Sequence, residues 1–100
     1  MFIINQTLKA DKIPEGKGEE LFRQHAAWFT RHFQQGDFLL VGPYTDAKMA
    51  GFMISGAETK EQVEEIIRED VYYADGLADY EIRSIKAAMI AKDFADYEGK

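Results

Sequence analysis

The chain has 100 residues, of which 46% are hydrophobic and 13% aromatic, with a formal net charge of −6 and no cysteine. A chain of this length holds one domain around one core, and its acidic balance repels phosphate backbones and anionic bilayers, so neither nucleic acid nor membrane is an expected partner. No cysteine marks an oxidising compartment. No apolar run reaches transmembrane length, and Met1 to Leu8 is too short and lacks the basic flank of a secretory leader, so a cytoplasmic protein is expected.

Phe2 to Leu8 reads as a strand that begins with a buried apolar run. Asp11 to Gly18, with Pro14, Gly16 and Gly18, is a loop. Glu19 to Gln35 carries the strongest helix signal. Phe22, Ala26, Phe29 and Phe33 recur at helical spacing, with Leu21, His25, Trp28 and His32 as a second line beside them. Glu19 and Glu20 fall in the first turn, where the helix dipole favours anions, and Gly36 is the C-terminal stop. Phe38 to Val41 is a strand apolar in both phases, ended by Gly42-Pro43. Met49 to Ser55 is the third strand. Thr59, with Gln62 three residues on, is a capping box that opens a helix with the narrow stripe Val63, Ile66 and Ile67. Asp70 to Gly76 reads as a short extra turn. Asp79 to Ala87 is the last strand, with Tyr80 and Ile82 on one face. Past it, Met89, Ile90 and Phe94 are compatible with a single helical turn.

The order β-α-β-β-α-β predicts an α+β fold. It is a ferredoxin-like sandwich with both helices on one face of an antiparallel sheet, in one domain over 1–100 with its core at 1–87 and a tail at 88–100. A sheet with one wet face alternates apolar and polar residues. The second and third strands do not, so a second subunit is expected on the open face and the chain is read as a homodimer.

Two residues stand out as carriers of chemistry. His25, mid-helix at the edge of the apolar line, has the side chain suited to acid–base work near neutral pH; the plainer reading is a packed imidazole satisfied by a carbonyl or water. Asp70 is a natural N-cap for the turn that follows it. As a functional group it would orient an imidazole and fix its tautomer. The spacing of 25 and 70 does not bring them together unless the turn after the second helix lies beside the first. His32, near its helix end, is read as structural. With no Cys and no clustered His pair, no metal site is expected. Gly16-Lys17-Gly18 lacks the phosphate-loop and dinucleotide patterns, so no cofactor is expected either. Trp28, Tyr44, Tyr72 and Tyr73 are candidates for core or for the walls of an apolar pocket.

His25-Ala26-Ala27-Trp28, Gly36, Phe38-Leu39-Leu40-Val41-Gly42-Pro43, Gly51-Phe52 and Asp70 with Val71-Tyr72-Tyr73-Ala74-Asp75-Gly76-Leu77 occur in this order over nearly the whole chain. As an ordered set they resemble the YCII-related (YciI-like) proteins. The resemblance implies a ferredoxin-like fold in dimers of the α+β barrel type, a small bacterial protein, and a His–Asp dyad at His25 and Asp70. One branch of that family removes chloride from a chlorinated hydroxyquinol without metal or organic cofactor. The chain departs from the pattern twice. Phe22 stands where the family often has Arg, with Arg23 one step later on a different face, and Val71 stands where Pro commonly follows the Asp.

The expected function is proton transfer by His25, held and polarised by Asp70, on a small-molecule ligand in an elimination or isomerisation without a cofactor. The pocket is expected between the first helix and the sheet, with Trp28, Gly42 and Pro43 as walls. The alternative is a non-catalytic dimer that binds a small ligand or serves as an accessory or assembly subunit.

Overall fold

The computed structural model describes residues 1–100. Its elements are β1 (Phe2–Leu8), α1 (Gly18–Gln34), β2 (Phe38–Pro43), β3 (Ala50–Ser55), α2 (Lys60–Arg68) and β4 (Ala78–Ser84), with 3-10 turns at Ala10–Lys12 and Phe94–Tyr97. The four strands form one sheet in the order β2-β3-β1-β4. Every pairing is antiparallel, which gives the α+β, ferredoxin-like arrangement expected from the element order.

Two strand ends differ from the sequence reading by more than one residue, each for a reason of pairing. β2 runs on through Gly42 and Pro43, because Pro43 still pairs with Gly51 and an edge strand tolerates a missing N–H. β4 stops at Ser84, opposite Phe2, where its partner strand runs out; Ile85 adds one last N–H bond, to the Met1 carbonyl. The tail turn also lies further on, at Phe94–Tyr97, with Met89 and Ile90 exposed before it.

One sheet face is inward. Ile4, Gln6, Met53 and Ser55 alternate on it, all buried, and Phe38, Trp28, Val63 and Ile67 complete the main core cluster. α1 does not pack by the line of phenylalanines. Its buried residues are His25, Trp28 and His32, while Phe22 and Phe33 are 56% and 52% exposed. The second line wins because it meets both the sheet and the end of α2, where its polar tips find partners. Trp28 Nε1 donates to the Ile66 carbonyl at 3.0 Å. His32 lies 2.7 Å from Asp37 through Nδ1 and 3.2 Å from Glu69 through Nε2. Asp37 reaches His32 because Gly36, at φ 89°, closes α1 in a Schellman turn, with Gly36 N–H on the Phe33 carbonyl and Asp37 N–H on the His32 carbonyl. At the other end of this link, Thr59 and Gln62 form the capping box reciprocally. α2 is thereby fixed at its start and tied at its end to α1, and Asp70 follows directly from that tied end.

Candidate active site

His25 and Asp70 are 45 residues apart, yet His25 Nδ1 lies 2.8 Å from Asp70 Oδ1. The tie between Trp28 and Ile66 sets this contact, since it holds the end of α2 one helical turn along α1 from His25. Asp70 is 1% exposed, and its other oxygen is also taken. Gln6 Nε2 donates to Oδ2 at 3.0 Å and the Tyr80 hydroxyl donates to it at 2.6 Å. Gln6 and Tyr80 sit opposite each other in the β1–β4 register, so two neighbouring strands and α1 all converge on one carboxylate.

The geometry fixes the direction of each bond. A carboxylate only accepts, so the imidazole nitrogen facing it carries the proton. In the neutral ring the lone pair then lies at Nε2. Asp70 spends its side chain on this network rather than on capping the turn that follows, which closes through the Tyr73 N–H on the Asp70 carbonyl. Val71 in the place of proline leaves that turn intact.

The Tyr80 hydroxyl is held protonated far above the ordinary phenol value, first by burial and then by its bond to Asp70. Tyr72 is shifted in the same direction by burial and, less, by the Asp70 charge. Both tyrosines therefore stay neutral beside the dyad.

His25 is boxed by rings. Trp28 stacks on it at 5.4 Å between centroids, Phe29 meets it edge-on at 5.2 Å, and Tyr72 and Phe22 tilt against it at 5.0 and 6.1 Å. Its free side opens on a cavity of about 660 Å³ between the N-terminal half of α1 and strands β1, β2 and β3. Gly42, Pro43, Val41 and Met53 line it from the sheet, Phe22 and Phe29 from the helix, and Met49 from the β2–β3 loop. Trp28 does not. It is 3% exposed and stands behind the imidazole as core, because its indole is drawn away to the Ile66 carbonyl. Gly51 is demanded by the strand approach, since a Cβ there would lie 3.0 Å from the Gly42 carbonyl oxygen.

No group of three His, Cys, Asp or Glu side chains is placed to hold a metal ion. No helix is long and apolar enough to cross a membrane. Sequence reasoning missed Gln6 and Tyr80. The available signal was Gln6 itself, a polar residue in the inward phase of a strand between Ile4 and Leu8.

A family model described as YCII-related domain matches residues 2–86. No curated protein matches the sequence. Among solved structures, the chain is similar to 5-chloro-2-hydroxyhydroquinone dehydrochlorinase from Burkholderia phenoliruptrix AC1100, solved in complex with 2,5-dihydroxybenzoquinone. The TM-score is 0.59 and the identity 17%, over 86% of this chain and 94% of that one. At that identity the likeness is one of fold.

Proposed function

The chain belongs to the YCII-related domain family, and from that premise we propose that it is an enzyme acting on a small organic molecule by cofactor-independent acid–base chemistry at His25. One observation carries the reading: a buried carboxylate holds Nδ1 of an imidazole whose ring lines an apolar cavity of about 660 Å³. His25 Nε2 takes a proton from a substrate carbon beside a carbonyl or phenol. The imidazolium so formed is stabilised by Asp70, as in hydrolytic triads. The electron pair left on carbon then expels a leaving group in an elimination. In an isomerisation it shifts, and the proton returns to another carbon. The dehydrochlorinase that shares this fold is, by its name, an elimination enzyme, which supports the first branch.

The substrate sits between α1 and the sheet, with Gly42 and Pro43 at the wall. A second copy of the chain covers the outer sheet face, where Ile3, Leu40, Phe52 and Ile54 are only partly buried, and the dimer works in the cytoplasm. The alternative, a non-catalytic ligand-binding or assembly dimer, goes with a packed His25 that has no cavity beside it; the cavity against the ring favours the enzyme. The test is deuterium exchange and turnover of a panel of phenolic and keto compounds. The wild type should process at least one, and His25→Gln should lose about 10²–10⁴-fold in rate. Full activity in His25→Gln contradicts the mechanism.

A further inference from the structure

The polar end of the cavity has an unusual balance. Gln6 lines it, but its amide N–H₂ is spent on Asp70 and approaches Tyr80 at 3.4 Å. The amide oxygen has no protein partner, and no unpartnered polar side-chain atom is sealed from solvent, so that oxygen is open to the cavity as an acceptor. His25 repeats the pattern, with Nδ1 spent on Asp70 and Nε2 left as a lone pair. The Tyr44 hydroxyl is turned away onto Asn5. Tyr72 contributes a hydroxyl that stays neutral.

No Lys, Arg, Asp or Glu lines the cavity. Phe22 is there instead, and Arg23 beside it pairs with Glu20. The N-terminus of α1 reaches the rim at Gly18, but Glu19 and Glu20 occupy its first turn and oppose any anion there. Behind the floor lies the buried Asp70 carboxylate. An anion placed here would lose its hydration, find no cation and face a negative group.

We infer that the cavity selects an uncharged, ring-sized molecule that donates hydrogen bonds, a phenol or enol in its protonated form, and rejects carboxylates and phosphates of the same size. This rests on the reading of His25 Nε2 as the group that faces the substrate. Gln6 Oε1 accepts from the ligand hydroxyl, His25 Nε2 faces the C–H whose proton it takes, and the apolar walls hold the ring. The molecule becomes charged only after His25 has taken a proton, when the imidazolium is there to face it.

The test is binding at about pH 7, where a phenol is neutral and a carboxylic acid ionised, followed by calorimetry and by the His25 imidazole NMR signals. The probes are 4-methylphenol, 4-methylbenzoate and toluene. The phenol should bind at least about tenfold tighter than the benzoate. Gln6→Met should weaken the phenol by about five- to tenfold and leave toluene unchanged. Phe22→Arg, at a half-exposed helix position, should reverse the preference and bring in the benzoate. Benzoate binding as tight as the phenol in the wild type, or binding of none of the three, overturns the inference. The ranking is read from binding alone, so an intact ranking without any turnover removes the catalytic reading and leaves this one standing.

Discussion

The Tyr80 hydroxyl lies 2.6 Å from Oδ2 of Asp70 and donates its proton there. This bond makes Asp70 more than a partner for His25: the carboxylate is held from β4 and β1 while it holds α1. Tyr80→Phe removes one charge-assisted donor, and urea denaturation should show a loss of about 1.5–3 kcal/mol. The pH dependence has a definite sign. Tyr80 ionises near 10.0 when unfolded and well above that when folded, so the folded state keeps the proton longer. Its contribution is complete below pH 10.0 and drains away as the pH rises past that value. The phenylalanine variant should show a shallower alkaline decline than the wild type.

Asp70→Asn keeps the shape and breaks the logic of the site. Three donors converge on the carboxylate, and an amide brings N–H groups of its own to one side. One side-chain oxygen cannot serve His25, Gln6 and Tyr80 together. Chemical denaturation should show a loss of about 1–3 kcal/mol. Asp70→Ala should cost at least as much, and a variant as stable as the wild type would show that the network is not holding the fold.

How much of this was legible in the sequence depended on range. The Thr59–Gln62 capping box is written in four consecutive residues, and it forms as read. Gly36 likewise announced the end of α1. The burial of α1 was not legible, because two adjacent apolar lines share the helix. Only tertiary contacts decide that Trp28 and His32 go in while Phe22 and Phe33 stay out. His25 and Asp70 were visible as candidates, but their contact crosses 45 residues and depends on where α2 ends. Trp28 looked like a wall and proved to be the brace, since nothing local reveals a bond to the Ile66 carbonyl.

That brace is testable. Trp28→Phe keeps an aromatic ring in the core but leaves the Ile66 carbonyl without its indole donor. A stability loss of about 1–3 kcal/mol is expected. Because the tie positions the end of α2, the His25 and Asp70 side-chain NMR signals should shift although neither residue was changed. Signals that stay in place would separate Trp28 from the dyad geometry.

Gly51→Ala would test the sheet beneath the cavity. The added Cβ meets the Gly42 carbonyl oxygen at 3.0 Å, a backbone atom, so β2 has to give by a few tenths of an ångström against β3. The expected cost is about 1–3 kcal/mol in thermal or chemical unfolding, with weaker binding of ring-sized ligands. Gly16 and Gly76 have nothing near a Cβ, so alanine there should cost stability through positive φ alone and leave the cavity unchanged.

The most direct measurement is the tautomer of His25, read from the imidazole ¹⁵N shifts and one-bond couplings of the neutral ring. Wild type should carry its proton on Nδ1, facing Asp70, with Nε2 bare toward the cavity, and Asp70→Ala should release the ring to a mixture. A wild-type ring protonated on Nε2, or a tautomer indifferent to Asp70→Ala, would contradict the assignment of His25 Nε2 as the base.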